Sequence, residues 1–162
     1  MLVSSLSAEN LFDNSTMDTA GGWKGSKKFV VEEKDPAKTG AADGGEKKKE
    51  KEKENRVLAV DAKKRERVSF SQKVSLRGLT DLTLKFRYRT KDYNGRGLEL
   101  RGKRQDGSFT FNTRDFQADG EWHQVEWSYT QVNGSNSIEF EIVVLEGEGE
   151  IFFDDVTVES AR

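Results

Sequence analysis

From residue 57 onward, apolar and polar side chains alternate along short segments of the chain. In the segment 82–88, leucine and aromatic residues alternate with threonine, lysine and arginine, which places the apolar side chains on one face of an extended strand. Turn-forming pairs such as Asp106-Gly107 separate these segments. No window of eleven or more residues has the spacing of an amphipathic helix. The pattern therefore predicts an all-β sandwich of two packed antiparallel sheets. The segments are 10–17, 29–33, 57–60, 68–76, 82–89, 98–101, 109–111, 125–129, 138–144 and 150–158.

The chain of 162 residues is long enough for one domain with a core and too short for two ordinary domains. Hydrophobic residues make up only 33% of it, but ten Phe, three Trp and three Tyr supply enough apolar surface for a core. The formal net charge of −2 gives no overall attraction for a polyanion, which argues against nucleic acid as a partner. Because cysteine is absent, disulfides, thiolate metal sites and thiol catalysis are excluded.

Two segments differ in composition from the predicted strands. Residues 1–8 are apolar and small and resemble the end of a secretory signal peptide, although they are short and lack a basic start. Residues 40–56 combine glycines with alternating lysine and glutamate, and we expect them to form a flexible charged insertion because they offer no apolar anchor. We predict a single domain over 9–162 that is secreted or periplasmic. No apolar run reaches the roughly 18 residues of a membrane span.

Two motifs lie near the ends of the chain. The first begins at Asn10-Leu11-Phe12 and ends at Asp18, with Gly22-Trp23 after it, and the second is IFFDDVTV at 151–158. They resemble the opening and closing strands of carbohydrate-binding modules with a galactose-binding-like jelly roll, families four, nine, sixteen and twenty-two. Those strands read roughly N-L-hydrophobic-x-N-x-x-F-E, then G-W, and hydrophobic-D-D-V-x-hydrophobic. The resemblance implies a monomeric jelly-roll β-sandwich that binds a polysaccharide or oligosaccharide without catalysis.

The same resemblance implies a structural calcium ion. In those modules an acidic residue of the opening motif and one of the closing strand share the ion, and the matching residues here are Asp18 and Asp154. Met17 and Asp18 depart from the phenylalanine and glutamate of the family pattern. Because side chains alternate along a strand, we expect Asp154 and Asp155 to point to opposite faces and only Asp154 to face the ion.

Five side chains are predicted to contact a glycan. Arg87 and Arg89 share the face of one strand that points away from the core, Tyr93 follows in a turn where we expect an exposed ring, and Arg101 lies on the outer face of a further strand. Trp122 begins a strand with the parity opposite to the core, at the rim of a loop.

Charged residues recur on the outward positions of the strands 82–89, 98–101 and 138–144. If these strands share one sheet, its outer face is a lattice of opposite charges. That lattice is either cross-strand ion pairing or a groove that hydrogen-bonds sugar hydroxyls, and the two are compatible. We expect Trp23, Trp127 and Tyr129 to lie in or beside the core.

Two alternatives remain open from the sequence. The string Gly120-Glu121-Trp122-His123-Gln124-Val125, with FRYRTK at 86–91, also resembles laminin-G domains, which implies a protein-interaction or adhesion domain with a protein partner. His123 has no second histidine or cysteine to form a metal site. An enzyme is disfavoured because G-x-S-x-G, H-E-x-x-H and paired catalytic motifs are absent.

Overall fold

The computed structural model describes residues 22–31, 56–76, 81–105, 107–129 and 136–160, and the fold is built from ten β-strands within these ranges. None of the described residues forms a helix long and apolar enough to cross a membrane. The strands are β1 (Lys24–Gly25), β2 (Lys28–Val31), β3 (Arg56–Asp61), β4 (Val68–Ser75), β5 (Leu82–Lys91), β6 (Leu98–Arg104), β7 (Gly107–Asn112), β8 (His123–Tyr129), β9 (Ser137–Val144) and β10 (Glu150–Ser160).

The strands form two five-stranded sheets, and every pair of neighbouring strands is antiparallel. The first sheet has the order β2-β3-β10-β5-β8 and the second the order β1-β4-β9-β6-β7. The predicted all-β sandwich of two antiparallel sheets is confirmed. The predicted opening strand at 10–17, the leader-like residues 1–8 and positions 40–55 of the charged insertion lie outside the described residues.

The core lies between the two sheets and follows the alternation of the sequence. On β5 the side chains of Leu82, Leu84, Phe86 and Tyr88 are buried. Arg87 and Arg89 alternate with them and point to the other face. Phe153 of β10 connects the sheets, because its ring contacts Phe86 of the first sheet and Phe70 of the second. Trp23 is buried against Phe70, as expected.

The apolar run 57–60 does not alternate because β3 is buried on both faces. Leu58 and Val60 belong to the main core. Val57 and Ala59 form a second, smaller apolar cluster with Phe152 on the opposite face of the first sheet. A strand buried on both sides reads as a continuous apolar segment.

A β-bulge in β10 overturns the predicted geometry of its two aspartates. The register of β10 against β5 shifts between Asp154 and Thr157, and Asp155 has a left-handed φ of 49°. The bulge breaks the alternation of side chains. As a result the carboxylates of Asp154 and Asp155 both contact Arg87, instead of pointing to opposite faces.

The three charged strands do not share one sheet. β5 lies in the first sheet, whereas β6 and β9 are neighbours in the second. The condition for a charge lattice across all three is therefore not met, because period-two alternation fixes the face of a residue but not the partner of its strand. The ion pairs occur separately within each sheet.

The two edges of the sandwich differ. At one edge the chain passes directly from β1 in the second sheet to β2 in the first, so the backbone itself closes the sandwich there. Gly25 makes this crossing possible: its φ is +108°, and a Cβ atom would lie 2.2 Å from the carbonyl oxygen of Ser69. At the other edge β7 and β8 are the outermost strands of their sheets.

Candidate functional site

A cleft of about 730 Å³ lies between β7 and β8 and is here called the edge cleft. It exists because the two outermost strands belong to different sheets and their core-facing side chains are only half covered. Its lining comprises Tyr88, Thr110, Phe111, Asn112, Thr113, Arg114, Asp115, Phe116, Gln117, His123, Gln124, Val125, Glu126 and Trp127.

Two stacked aromatic pairs bound the half-covered side chains of this edge. Phe109 stacks on Tyr129 with ring centroids 3.9 Å apart and an interplanar angle of 14°. Phe116 stacks on Tyr88 at 4.9 Å and 11°. Along β8, Trp127 lies between these pairs, half-buried and with its ring 5.5 Å from that of Phe86. The floor of the cleft is therefore apolar and aromatic.

Polar groups surround that floor. Thr110, Asn112, Gln124 and Glu126 are exposed, and the first two extend from β7 while the others extend from β8. Thr110 and Asn112 point toward the outer face of the second sheet, and Gln124 and Glu126 point toward the outer face of the first, so these groups form two rims that point apart. A ligand rich in hydroxyls that lies across the edge can hydrogen-bond to the hydroxyl, amide and carboxylate groups of either rim. An apolar floor with polar groups placed around it is the usual composition of a small-ligand site.

Hydrogen bonds hold the end of the cleft next to Tyr88 in place. The backbone N–H of Gln117 donates to the hydroxyl oxygen of Tyr88 at 2.9 Å, and burial raises the pKa of that hydroxyl. His123 Nε2 lies 2.7 Å from Asp119 Oδ1. That hydrogen bond lowers the pKa of the Asp119 carboxyl, with a further contribution from the backbone N–H of Glu121. The ring of His123 also packs against that of Tyr88, with centroids 5.5 Å apart, and its hydrogen-bond partner is a carboxylate.

Three of the predicted glycan contacts come together on the outer face of the first sheet. The guanidinium groups of Arg87 and Arg89 lie over the indole ring of Trp122, 5.0 Å and 5.3 Å from its centroid. Arg89 also lies 5.2 Å from the ring centroid of Phe152. We call these four residues the arginine–tryptophan cluster. The indole ring of Trp122 is covered by both guanidinium groups, and Arg87 also pairs with carboxylates.

Arg87 is the centre of a charged group. Its Nη2 donates to Oδ2 of Asp154 at 3.0 Å, and its Nε lies 2.9 Å from Oδ2 of Asp155. Oδ1 of Asp154 accepts the backbone N–H of Asp155 at 2.9 Å. Burial, and then the charge of Asp155, raise the pKa of Asp154 to about 6 against the opposing effect of Arg87.

Arg101 lies on the outer face of the second sheet and is separate from the cluster. Its Nε donates to Glu99 at 2.6 Å. On the same face, Ser69 donates to Glu141 at 2.6 Å, and Lys103 pairs with Glu141 at 3.2 Å. Within the described strands no aromatic side chain points outward from this face, which comprises Lys24, Ser69, Ser71, Lys73, Ser75, Glu99, Arg101, Lys103, Ser108, Thr110, Asn112, Ser137, Glu139, Glu141 and Val143.

The predicted exposure of Tyr93 is wrong. Its ring is buried, with 5% of the residue accessible, and contacts Phe116 edge to face. The hydroxyl donates to the carbonyl oxygen of Leu145 at 3.0 Å and accepts the backbone N–H of Gly97 at 3.2 Å. The turn after β5 folds over the ring, and a Cβ atom at Gly95 would lie 2.2 Å from the hydroxyl oxygen. Tyr93 fastens this turn and cannot stack on a sugar.

The predicted calcium site is only half within the described residues, because Asp18 lies outside them. Among the described residues, no group of three or more histidine, aspartate or glutamate side chains is arranged to hold a metal ion. At Asp154, Oδ2 accepts from the Arg87 guanidinium and Oδ1 accepts from the backbone N–H of Asp155, so a side-chain cation already neighbours this carboxylate. The ion shared with Asp18 stays a prediction.

Sequence reasoning missed the edge cleft. Trp127 and Tyr129 face the core as expected, but they are only half-buried because β8 is an edge strand. The sequence feature that indicates the cleft is an aromatic residue at each core-facing position of 109–111 and at positions 127 and 129. The alternation does not reveal that these two strands are the neighbours at an open edge.

A comparison with protein-family models matches residues 10–158 to the family CBM_4_9_1, described as "BppA domain 1". No curated protein matches the chain. Among solved structures, the chain is similar to the enzymatically active domain of tailspike protein 4 of bacteriophage CBA120, with a TM-score of 0.62 and 11% identity. That match covers 94% of this chain but only 21% of the tailspike chain.

Two further similar structures are isolated modules. One is TmCBM61 in complex with β-1,4-galactotriose, with a TM-score of 0.57 and 19% identity, covering 95% of this chain and 100% of that one. The other is a family 16 carbohydrate-binding module, with a TM-score of 0.57 and 20% identity, covering 92% and 99%. At these identities the similarity shows the fold, a jelly roll. The resemblance found at the two ends of the sequence is confirmed.

Proposed function

The chain belongs to the CBM_4_9_1 family of carbohydrate-binding modules, and from this premise we propose that it binds a polysaccharide or oligosaccharide in the edge cleft without catalysing a reaction. The observation that carries the choice of site is the half-covered aromatic floor with polar side chains at its two rims. A module of this kind meets its ligand outside the cytoplasm, and a secreted or periplasmic location is part of the proposal.

The chemistry of a sugar matches the edge cleft. One face of a pyranose ring is a patch of C–H groups that packs on an aromatic ring, while its hydroxyls extend sideways to hydrogen-bonding partners. Trp127 and Phe111 offer rings at the floor, and Asn112 and Gln124 offer amides at the two rims. The volume of about 730 Å³ lies within the range of ordinary ligand pockets.

The residues predicted from the sequence are less suited to this task. A sugar that stacked on Trp122 would have to displace guanidinium groups that already lie over the ring. Arg101 is ion-paired with Glu99 on a face without an outward aromatic side chain in its described strands. The arginine–tryptophan cluster is therefore the second candidate surface for the same function.

A glycan array probed with the purified domain tests the function, and calorimetric titration of the best oligosaccharide tests the site. Trp127→Ala should weaken binding by about 1–3 kcal/mol, the range for aromatic stacking on other planar ligands. Asn112→Ala, at an exposed position with little risk to folding, should also weaken binding. Trp122→Ala is the matched control and should bind as the wild type does.

Two results would contradict these statements separately. A folded domain that binds no glycan on the array argues against carbohydrate binding and leaves a protein partner as the next hypothesis. A domain that binds normally in the Trp127→Ala and Asn112→Ala variants but loses binding in Trp122→Ala has its site at the arginine–tryptophan cluster.

A further inference from the structure

We propose that the guanidinium group of Arg87 takes the place of a metal ion at the aspartates of the closing strand. The resemblance at the ends of the sequence implies a calcium ion at Asp154, and the structure places a side-chain cation there. The fold then requires no divalent cation at these carboxylates. The inference is independent of the proposed glycan site, which lies at the edge cleft.

The hydrogen bonds of Asp154 show that a side-chain cation already contacts this carboxylate. Oδ2 accepts from Arg87 Nη2 at 3.0 Å, and Oδ1 accepts from the backbone N–H of Asp155 at 2.9 Å. Calcium ligands lie about 2.3–2.6 Å from the ion, so an ion bound to Oδ2 would bring a second cation close to the guanidinium on the same oxygen. Repulsion between the two cations disfavours the ion while Arg87 is in place.

The bulge in β10 carries the second step. It turns the carboxylate of Asp155 toward the same side as that of Asp154, where the Nε of Arg87 lies 2.9 Å from it. Two carboxylates around one cation is the arrangement that a metal ion usually provides. A guanidinium provides it here through the hydrogen bond from Nη2 to Asp154 and through an ionic contact of Nε with Asp155 that is not a hydrogen bond.

Burial and aromatic contacts keep the guanidinium there. Asp154 is only 3% exposed, so its ionised form needs a cation close by. The indole ring of Trp122 lies over the Arg87 guanidinium at 5.0 Å and stabilises it by a cation–π contact. The arginine–tryptophan cluster therefore holds a permanent cation beside the two aspartates.

Terbium luminescence tests the proposal, because Tb³⁺ occupies oxygen-rich calcium sites and emits when a nearby indole ring transfers energy to it. Trp122 is the nearby donor in this case. The wild type should show only background emission that calcium does not change. Arg87→Gln should gain emission that calcium displaces and that is lost in the Arg87→Gln/Asp154→Asn double variant. Arg89→Gln, which removes the other guanidinium over Trp122, is the matched control and should resemble the wild type.

Two results overturn the proposal. One is calcium-displaceable emission in the wild type that depends on Asp154. The other is a folded Arg87→Gln variant that gains no emission, which would mean that the guanidinium does not stand in for an ion. If Arg87→Gln does not fold, thermal melting of the wild type decides: a midpoint unchanged by calcium and chelator supports the proposal, whereas a chelator-induced drop that Asp154→Asn abolishes refutes it.

Discussion

At the scale of single residues, the same side-chain type has different roles at different places in this sandwich. Of the partly exposed arginines, Arg87 is locked between aspartates, Arg89 is stacked on rings and Arg101 is paired with Glu99. Tyrosine shows the same spread, because Tyr93 is buried in a turn while Tyr129 is half-buried at the open edge. Two residue-scale predictions follow from the buried polar groups.

Tyr93→Phe should destabilise the domain by about 1–3 kcal/mol, because it leaves the carbonyl of Leu145 and the N–H of Gly97 without the hydroxyl. Urea unfolding measures the loss, and Tyr129→Phe, at a half-buried ring, serves as the control with a smaller effect. Glycan affinity should stay unchanged. A variant as stable as the wild type but weaker in glycan binding would mean that Tyr93 acts at the ligand after all.

The raised pKa of Asp154, about 6, predicts how stability depends on pH. Because the folded state holds this proton more tightly than the unfolded state, folding binds a proton between the two pKa values, and stability falls as pH rises through about 4 to 6. Relative to Asp154→Asn, which cannot titrate, the wild type should lose roughly 1–3 kcal/mol from about pH 4 to pH 7. Denaturant unfolding of both proteins across this range measures the difference. The opposite slope would show that Arg87 outweighs burial.

At the scale of strands, the backbone crossing from β1 to β2 is a tightly constrained connection. Its glycine has both a left-handed φ and a close backbone neighbour in β4. By contrast, Gly120 has a φ of +82°, but a Cβ atom there would lie 3.8 Å from the carbonyl oxygen of Thr90, which is an ordinary contact distance. Substitutions at these two glycines therefore distinguish the cost of backbone strain from the cost of a steric clash.

Gly25→Ala should therefore destabilise the domain more than Gly120→Ala does. Gly120→Ala adds mainly the cost of a left-handed alanine, about 1 kcal/mol, whereas Gly25→Ala also drives a Cβ atom into the backbone of Ser69. Thermal melting and urea unfolding of the two variants measure the difference. Equal effects would mean that the crossing moves away from β4 at little cost.

Strands and their faces could be predicted from the sequence, but strand partners could not. The alternation in β5 and β9 correctly separates core residues from outward residues, because each side chain's face depends only on local geometry. Which strands are neighbours depends on contacts between distant parts of the chain. For this reason the alternation did not place β5 apart from β9, and it did not show that Trp127 lies at an open edge.

The candidate site shows the same limit. The sequence placed Arg87 and Arg89 on one outward face, and the structure adds Trp122 to that surface. Their mutual stacking was not predictable, since it depends on side-chain directions across the sheet. The bulge at Asp155 was also hidden, because a single left-handed aspartate leaves no mark on the hydrophobic pattern.

At the scale of the whole molecule, the described strands form a sandwich that is closed at one edge and open at the other. Each of its two outer faces carries its own group of ion pairs. The lysine- and glutamate-rich segment of the sequence contributes no apolar side chain to the core. β3 begins at Arg56, which pairs with Val31 of β2, so the last residue of the predicted insertion belongs to a strand.

Replacing residues 44–55 with a short Gly-Ser linker should leave the melting midpoint almost unchanged, because the segment has no apolar anchor to lose. A second deletion that also removes Arg56 should lower the midpoint, since it removes a strand residue. Differential scanning calorimetry of the two deletions makes the comparison. A large drop in the first deletion would show that the charged segment packs on the sandwich.

The position of β10 bears on how the domain is made in the cell. β10 is the last described strand in the sequence but the central strand of its sheet, between β3 and β5. Until residue 160 leaves the ribosome, β3 and β5 lack the strand that lies between them. The pairs β2-β3 and β5-β8 are then separate, and they expose the faces that Phe153 and its neighbours later cover. Folding must therefore wait for synthesis of the closing strand. During that interval the nascent chain has unpaired strand edges, and this makes it a natural client for chaperones that bind extended segments.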